Sequence, residues 1–282
     1  MINIVIFCNP NYSQKNIINT VNKSIDIVSQ FIFLYKSIKT NWNDFEYRIS
    51  LFHNKDIMFN KIDMEKLNKC DIDIYTCKPD NPKLPYYCRC ACLDTKLKFK
   101  GTHRLVLDCD MIALNNPKFD LECDWQAMYA GSVAFNTNFL DYIIKKYNYK
   151  FNQNNNFIKK DLYVKYLRNP NHYQKLYPYF NGGAILIKEE LCHTFCELWK
   201  PSIELSYDMS LPYINRHLGL QYSMSYALLN LSRNWKPFTP GINYLLKVYD
   251  VNKFGKQNIS LLHYCGVGAE KLVQKEFPEY FK

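Results

Sequence analysis

The sequence lacks the features of membrane-spanning, secreted and nucleic-acid-binding chains. Its 282 residues contain no apolar run long enough for a transmembrane helix, which needs about 18 residues or more. The apolar run Ile2–Phe7 is too short for a secretory signal, and no basic region precedes it. Lys and Arg exceed Asp and Glu by 36 to 26, but they form no tight block, so we expect no nucleic-acid partner. These absences predict a cytoplasmic or cytosol-like protein without a transmembrane segment.

The 11 cysteines also lack the pattern of a disulfide framework, because they are odd in number and irregularly spaced. Cys88, Cys90 and Cys92 do not have the spacing of a zinc finger, and we interpret them as buried reduced thiols. What is abundant is Asn, Lys, Ile and Tyr. We interpret that bias as coding pressure from an AT-rich genome, such as that of a large virus or an intracellular microbe.

Strands and helices alternate in the first part of the chain. Ile2–Phe7 is a continuous apolar run, typical of a strand that is buried on both faces in a parallel sheet. The further elements predicted here are a helix at Ser24–Lys39, strands at Tyr47–Phe52 and Ile72–Thr76, a helix at Tyr87–Phe99, and a strand at Arg104–Leu107. This order predicts an open α/β sheet with crossover connections, in which ligands bind beyond the carboxyl ends of the strands.

The second part of the chain is less regular. The elements predicted here are a strand within Asp124–Phe135, a strand at Phe180–Ile187, helices at Glu189–Trp199 and Tyr222–Leu231, and a last strand at Ser260–Tyr264. Residues 148–177 are rich in Asn, Lys and Tyr, and we interpret them as an insert that contacts the acceptor. No linker is visible, so we expect one domain over 1–282, with a nucleotide-binding half at about 1–110 and a sugar and acceptor half at about 111–282.

The strongest local signal is the pair of acids Asp108 and Asp110, which directly follows the apolar strand Arg104–Leu107. Hard oxygen ligands of this kind suit Mg²⁺ or Mn²⁺, and a diphosphate can supply further oxygens. A cation would also remove the repulsion between the neighbouring carboxylates. The alternative is a surface turn that happens to carry two acids, because Asp-x-Asp alone is a common pattern.

His263 is the second candidate, since a neutral imidazole can complete a Mn²⁺ site. Gly266 and Gly268 follow it and allow the backbone to approach phosphate oxygens closely, and Lys271 can meet a diphosphate as a point charge. A core histidine with a satisfied hydrogen bond is the alternative.

Asn181, Gly182 and Gly183 form a third candidate at the mouth of a predicted strand. The amide can bond sugar hydroxyls, and the glycines leave room for a sugar. A plain turn before the strand is the alternative, because Asn-Gly is a frequent turn dipeptide.

Together, these three segments resemble glycosyltransferase family 8, the group that includes glycogenin and the bacterial galactosyltransferases of lipooligosaccharide synthesis. The resemblance implies the GT-A fold, a mixed, mainly parallel central sheet flanked by helices. It also implies a nucleotide-sugar donor, usually a UDP-sugar, with Mn²⁺ (or Mg²⁺) and transfer with retention of configuration. Asp108, Asp110 and His263 match the metal ligands of the family, and Asn181-Gly182-Gly183 matches its sugar-binding segment.

Further residues are carried over from the resemblance alone. Arg89, or alternatively Lys96, corresponds to a basic residue that faces the diphosphate and the sugar. Gln221 corresponds to a glutamine near the reacting carbon, although the acids that flank it in the family are absent here. Asn9, Asn11 and Tyr12 resemble the segment that contacts uracil and ribose. Pro240–Tyr244 resembles a short Tyr-Asn segment of the family.

The sequence therefore predicts a metal-dependent hexosyltransferase that uses a nucleotide-diphosphate sugar and an acceptor that the sequence does not identify. One alternative is a nucleotidyltransferase on a related fold, but the Gly-rich, basic loop typical of that class does not follow the first strand. The other alternative is a non-enzymatic basic binding protein, which the net charge of +10 suggests.

Overall fold

The computed structural model describes residues 1–8, 26–56, 58–78, 85–129, 180–208, 224–225, 227–246, 251–265 and 269–278. In chain order, the strands are β1 (Ile2–Phe7), β2 (Tyr47–Asn54), β3 (Asp73–Cys77), β4 (His103–Leu107), β5 (Met111–Ala113), β6 (Trp125–Tyr129), β7 (Phe180–Lys188), β8 (Trp235–Pro237), β9 (Ile242–Leu245) and β10 (Leu261–His263). The helices are α1 (Ile27–Asn41), α2 (Lys61–Leu67), α3 (Pro85–Asp94), α4 (Cys192–Asp208), α5 (Val251–Phe254) and α6 (Ala269–Glu276). Residues 224–225 and 227–231 are also helical.

A seven-stranded sheet in the order β3-β2-β1-β4-β7-β6-β8 forms the centre of the fold. Strands β1, β2, β3 and β4 are mutually parallel, and β7 alone runs against its neighbours β4 and β6. Strand β8 then pairs parallel with β6. The predicted α/β class with a mixed, mainly parallel sheet is therefore confirmed.

Both faces of the central sheet are covered, as the apolar run of β1 predicts. Val5 belongs to a core with Phe195 and Trp199 of α4. Its neighbours Ile4 and Ile6 point the other way, into a core that includes residues of α1. Since successive side chains of a strand alternate between faces, a strand buried on both sides must be apolar throughout.

A second sheet of three strands, in the order β5-β10-β9, adjoins the carboxyl end of β4. Strand β10 pairs antiparallel with β5 and parallel with β9. Strands of three or four residues are too short to show a periodicity in the sequence, and β5, β8 and β9 were therefore not expected. The short helix α2 was not expected either. The last predicted strand, Ser260–Tyr264, is β10 with one residue fewer at each end.

Two helices have other boundaries than the sequence predicts, and the one expected at Glu189–Trp199 is α4, which runs from Cys192 to Asp208. The helix expected at Tyr87–Phe99 ends at Asp94, because the guanidinium of Arg104 donates to the carbonyls of Cys92 and Leu93 at 2.7 Å and closes the last turn. The segment Asn181-Gly182-Gly183 lies inside β7, within the strand expected at Phe180–Ile187, and this excludes the alternative of a plain turn before the strand. At the end of α3, contacts with a distant residue decide the local conformation.

The helix expected at Ser24–Lys39 is α1, whose N-cap is Asp26; the Asp26 carboxylate accepts from the backbone N–H of Ser29 at 2.8 Å. No helix in the described part of the chain is long and apolar enough to cross a membrane. All 11 cysteines fall within the described residues and are free thiols, nine of them buried.

Candidate metal centre

Asp108 and Asp110 lie at the junction between the two sheets, where β4 of the large sheet ends and β5 of the small sheet begins. Between them, Cys109 is buried, and its thiol donates to the carbonyl of Phe7 at 3.2 Å. The backbone N–H of Asp108 is held by the carbonyl of Gly183 at 2.9 Å. The cysteine packs inward, and the acids on either side of it remain partly exposed.

Strand register brings His263 to these acids from far along the chain. In the antiparallel pair of β10 and β5, His263 lies opposite Met111, the residue after Asp110. The ladder continues one step farther, since the N–H of Tyr264 donates to the carbonyl of Asp110 at 3.0 Å. His263 itself is only 4% exposed. The three ligands expected from the resemblance therefore meet at one place.

The potential ligand atoms of Asp108, Asp110 and His263 all lie within 4.8 Å of one another. Nε2 of His263 is 3.4 Å from Oδ1 of Asp110 and 3.8 Å from Oδ2 of Asp108. Two carboxylates and one imidazole, gathered around one space, offer the mixed oxygen and nitrogen ligands that suit Mn²⁺ and are compatible with Mg²⁺.

Two observations show that this donor set fits a cation. Nε2 of His263 is buried and has no hydrogen-bond partner within the described ranges, which is costly unless something else satisfies it. Burial lowers the pKa of His263, but the negative charge of Asp110, together with the contacts of the imidazole with Asp110 and Cys265, outweighs burial and raises the pKa to about 10. The surroundings of His263 therefore favour positive charge.

Arg89 of α3 contacts this site directly. Its guanidinium donates to a carboxylate oxygen of Asp108 and to the carbonyl of Gly182. The Arg89 side chain is 12% exposed and that of Asp108 is 31% exposed. The sequence left Arg89 and Lys96 open for this position. The structure joins Arg89 to the acid pair, whereas Lys96 is exposed and lies two residues beyond the end of α3.

The two glycines of β7 make room for side chains of the site. A Cβ on Gly183 would lie 2.5 Å from Cε1 and Nδ1 of His263, and one on Gly182 would lie 3.0 Å from a guanidinium nitrogen of Arg89. Such distances to a ring and a guanidinium exclude larger residues unless those groups shift. The absence of a side chain at 182 and 183 therefore has a reason within the protein, which the sequence did not indicate.

Asn181 and Asn243 stand behind His263. Nδ1 of His263 lies 2.9 Å from Oδ1 of Asn243, and Nδ2 of Asn243 donates to Oδ1 of Asn181 at 3.0 Å. The sequence placed Asn243 in a segment that resembles the family but gave it no role. The only sequence signal was the preceding pair Pro240-Gly241, which marks a turn.

Other expected site residues are not joined to the centre by the structure. Lys271 lies exposed on α6. The remaining ones fall outside the described residues: Asn9, Asn11, Tyr12, Gln221, Gly266, Gly268 and the insert 148–177. Their roles stay predictions.

Comparison with known proteins identifies the fold. No protein-family model matches the sequence, and no curated protein matches it significantly. Among solved structures, galactosyltransferase LgtC in complex with donor and acceptor sugar analogues matches with a TM-score of 0.55 at 13% identity, over 96% of this chain and 94% of that one. An active-site variant of LgtC, with glutamate in place of a glutamine, matches with a TM-score of 0.54 at 13% identity over the same shares.

A further match is the glycosyltransferase GlyE of Streptococcus pneumoniae TIGR4, with a TM-score of 0.53 at 12% identity. It covers 99% of this chain and 59% of that protein. The order of strands, the acid pair that follows β4 and the overlap with these structures lead to one conclusion about architecture. This chain has the GT-A fold of these glycosyltransferases, as its sequence predicts.

Proposed function

We propose that this protein is a metal-dependent glycosyltransferase that moves a hexose from a nucleotide-diphosphate donor, a UDP-sugar, to the hydroxyl of an acceptor. The observation that carries the proposal is the meeting of Asp108, Asp110 and His263, whose ligand atoms lie within 4.8 Å of one another. They meet at the carboxyl end of β4, which is where open α/β sheets bind ligands. The similarity in fold to LgtC, whose structure holds donor and acceptor sugar analogues, supports it.

In this proposal, Asp108, Asp110 and His263 hold Mn²⁺ or Mg²⁺ through two carboxylates and Nε2. A bound divalent cation supplies positive charge that stabilises the leaving diphosphate as the glycosidic bond breaks. Arg89 adds a second, permanent positive charge beside Asp108, held in place by the carbonyl of Gly182. A fixed charge of this kind costs little reorganisation when negative charge develops next to it.

We assign the other expected residues to the donor and the reacting sugar on the basis of the family resemblance. Asn9, Asn11 and Tyr12 would contact the base and ribose, and Asn181, Gly182 and Gly183 the sugar. Gly266, Gly268 and Lys271 would lie near the diphosphate. Gln221 would assist at the anomeric carbon; the LgtC structure in which an active-site glutamine is replaced supports a glutamine in such a role.

The family resemblance also leads us to propose transfer with retention of anomeric configuration. The developing positive charge at the anomeric carbon would be met on the front face by the acceptor hydroxyl. NMR of the first product formed distinguishes the α and β anomers directly. An inverted product would contradict this part of the proposal and leave the metal site and the donor class unaffected.

The test of the proposal is donor binding that depends on the metal. Thermal unfolding of the wild-type protein with a panel of nucleotide sugars, with and without Mn²⁺, should show a rise in Tm for one donor only when Mn²⁺ is present. Binding at 100 times Kd corresponds to about 2.7 kcal/mol of added stability. Asp108→Asn should abolish the shift and the Mn²⁺-dependent hydrolysis of the donor.

Asp71→Asn is the matched control, because the Asp71 carboxylate is 74% exposed and pairs with Lys39, a residue outside the proposed site. It should keep the donor-dependent shift. Unchanged hydrolysis in Asp108→Asn would remove the metal role. Absence of any stabilisation by nucleotide sugars, together with salt-sensitive binding of generic nucleic acid, would favour a basic binding protein instead.

A further inference from the structure

Asn243 forms the middle of a chain of hydrogen bonds that begins at the backbone and ends at His263. The backbone N–H of Gly183 donates to Oδ1 of Asn181 at 2.8 Å. The same oxygen accepts from Nδ2 of Asn243 at 3.0 Å. Oδ1 of Asn243 then lies 2.9 Å from Nδ1 of His263. All four residues are buried, so water does not compete for these bonds.

The direction of this chain follows from its first member, because a backbone N–H can only donate. The Asn181 atom that faces it must therefore be the carbonyl oxygen, and the Asn243 atom that faces that oxygen must be the NH₂ group. This orientation turns the oxygen of Asn243 towards Nδ1 of His263. An amide oxygen only accepts, so Nδ1 must carry a proton, and in the neutral imidazole Nε2 keeps its lone pair.

The backbone at Asn243 is unusual in a way that suits this role. Its φ is 60°, in the left-handed region, and the residue is fully buried. Non-glycine residues adopt this conformation at some energetic cost, and Asn tolerates it better than most. Such outliers persist where the surroundings hold them, and they concentrate at functional sites.

Gly183 contributes to the same contact from the other side. A Cβ there would lie 2.5 Å from Nδ1 of His263 and 2.8 Å from Oδ1 of Asn243, too close to both hydrogen-bonded groups. The left-handed asparagine and the glycine therefore both preserve the amide–imidazole bond.

We infer that Asn243 is a positioning residue that fixes the tautomer and the ring orientation of His263, so that the lone pair of Nε2 points at Asp108 and Asp110. The inference rests on the proposed function in one respect, namely that a cation occupies the space which Nε2 faces. Without the amide, the imidazole could rotate, or it could place its proton on Nε2, and that nitrogen could not then bind a cation.

The test is Mn²⁺ binding in the absence of donor, followed by electron paramagnetic resonance of the free ion. Asn243→Gly removes the amide but keeps a residue that accepts positive φ, and Asn243→Ala removes the amide and adds backbone strain. Both should weaken Mn²⁺ binding by a similar factor, about 10- to 100-fold, which is typical for loss of a group that orients a metal-ligating histidine. Asn243→Ala should also lower Tm more than Asn243→Gly does.

Asn3→Gly is the matched control, since Asn3 is another buried amide at the opposite end of the central sheet, bonded to Phe99 and Glu189. It should lower Tm and leave Mn²⁺ affinity unchanged. In the protein loaded with ¹¹³Cd²⁺, ¹⁵N NMR should show coupling of the metal to Nε2 of His263 and a proton on Nδ1. Coupling to Nδ1 would overturn the inference.

Different results would contradict the proposed metal site and the role of Asn243. Wild-type protein that binds no Mn²⁺ would overturn the proposed metal site and this inference with it. Wild-type protein that binds Mn²⁺ with the same affinity as Asn243→Gly would overturn the inference alone.

Discussion

Two arginines, Arg104 on β4 and Arg89 on α3, make different kinds of contact at the two ends of β4. Near the amino end, Arg104 is 2% exposed and donates to the carbonyls of Cys92, Leu93 and Thr95 and to both oxygens of Glu189. Beyond the carboxyl end, Arg89 is paired with Asp108, an acid that also faces His263.

The partners of the two arginines indicate that Arg104 stabilises the fold and that Arg89 belongs to the candidate site. None of the partners of Arg104 is among the residues that offer ligand atoms to the candidate metal site. Removal of Arg104 would take its guanidinium from the carbonyls of Cys92 and Leu93 and from the carboxylate of Glu189. The partner of Arg89 is one of three groups that offer ligand atoms to the same space. The role of a buried arginine is therefore better judged from what else its partners can bind than from its burial alone.

The largest effect should come from breaking the structural end. Arg104→Met should reduce the free energy of unfolding by about 3 kcal/mol, because the carboxylate of Glu189 loses its charged partner and the carbonyls at the end of α3 lose the guanidinium that donates to them. Urea unfolding measures this. Arg48→Met, at an exposed arginine that stacks on Phe99, is the control and should cost about 1 kcal/mol or less. Equal losses in both variants would contradict the comparison.

Arg89→Met should show the reverse pattern. We expect about a 100-fold fall in kcat/KM for transfer, which corresponds to about 2.7 kcal/mol, because a preorganised charge beside the diphosphate is lost. The free energy of unfolding should change by about 1 kcal/mol or less, since the pair with Asp108 is partly exposed. A large loss of stability with little change in kcat/KM would make Arg89 a structural residue like Arg104.

A smaller contrast lies in two glycines, one at each end of β4. Gly183→Ala should weaken Mn²⁺ binding by about tenfold, or about 1.4 kcal/mol, as the new methyl group displaces the ring of His263. Gly101→Ala, whose Cβ would lie 2.8 Å from the carbonyl of Met1, should lower Tm without changing Mn²⁺ affinity. Isothermal titration measures the Mn²⁺ affinity and thermal unfolding measures Tm. Equal Mn²⁺ affinities of the two variants would contradict the role of Gly183 in leaving space for His263.

The smallest effect concerns the stability of the protein at low pH, to which Asp124 contributes near the amino end of β4. Burial raises the pKa of Asp124, but hydrogen bonds from Lys188 and Ser232 outweigh it and lower the pKa below its ordinary value of 3.8. The stabilisation is therefore present above about pH 4 and is lost as pH falls through the lower, folded-state value. Asp124→Asn should reduce stability at pH 7 by about 0.5–1 kcal/mol and narrow the gap to wild type below pH 4. A gap that stays constant between pH 7 and pH 3 would contradict this.

The sequence was most informative where a long apolar pattern or a motif stood on its own. The strand Ile2–Phe7 is present with the predicted bounds, because six successive apolar or buried residues fit a strand covered on both faces. The acid pair after β4 also lies at the carboxyl edge where it was expected. His263 came from the family resemblance, and the register of β10 against β5 supplies its physical reason.

Contacts between distant residues decided the features that the sequence did not predict. The end of α3 depends on Arg104, which follows it by ten residues and lies on another element. The left-handed backbone of Asn243 and the use of Gly183 as space for His263 become visible only when three strands are assembled. Residues such as Gln221 and Tyr12 lie outside the described residues, and their roles remain predictions.

The proposed metal ligands come from both sheets: Asp108 follows the last residue of β4 in the seven-stranded sheet, and His263 is the last residue of β10 in the three-stranded sheet. If an ion were bound between the two sheets, the small sheet could open only when the ion was released. Hydrogen exchange of the amides in β9 and β10 should then slow as Mn²⁺ concentration rises, while β3, at the far edge of the large sheet, should respond much less. The small sheet beside the proposed substrate site would thus become rigid only when the ion is bound.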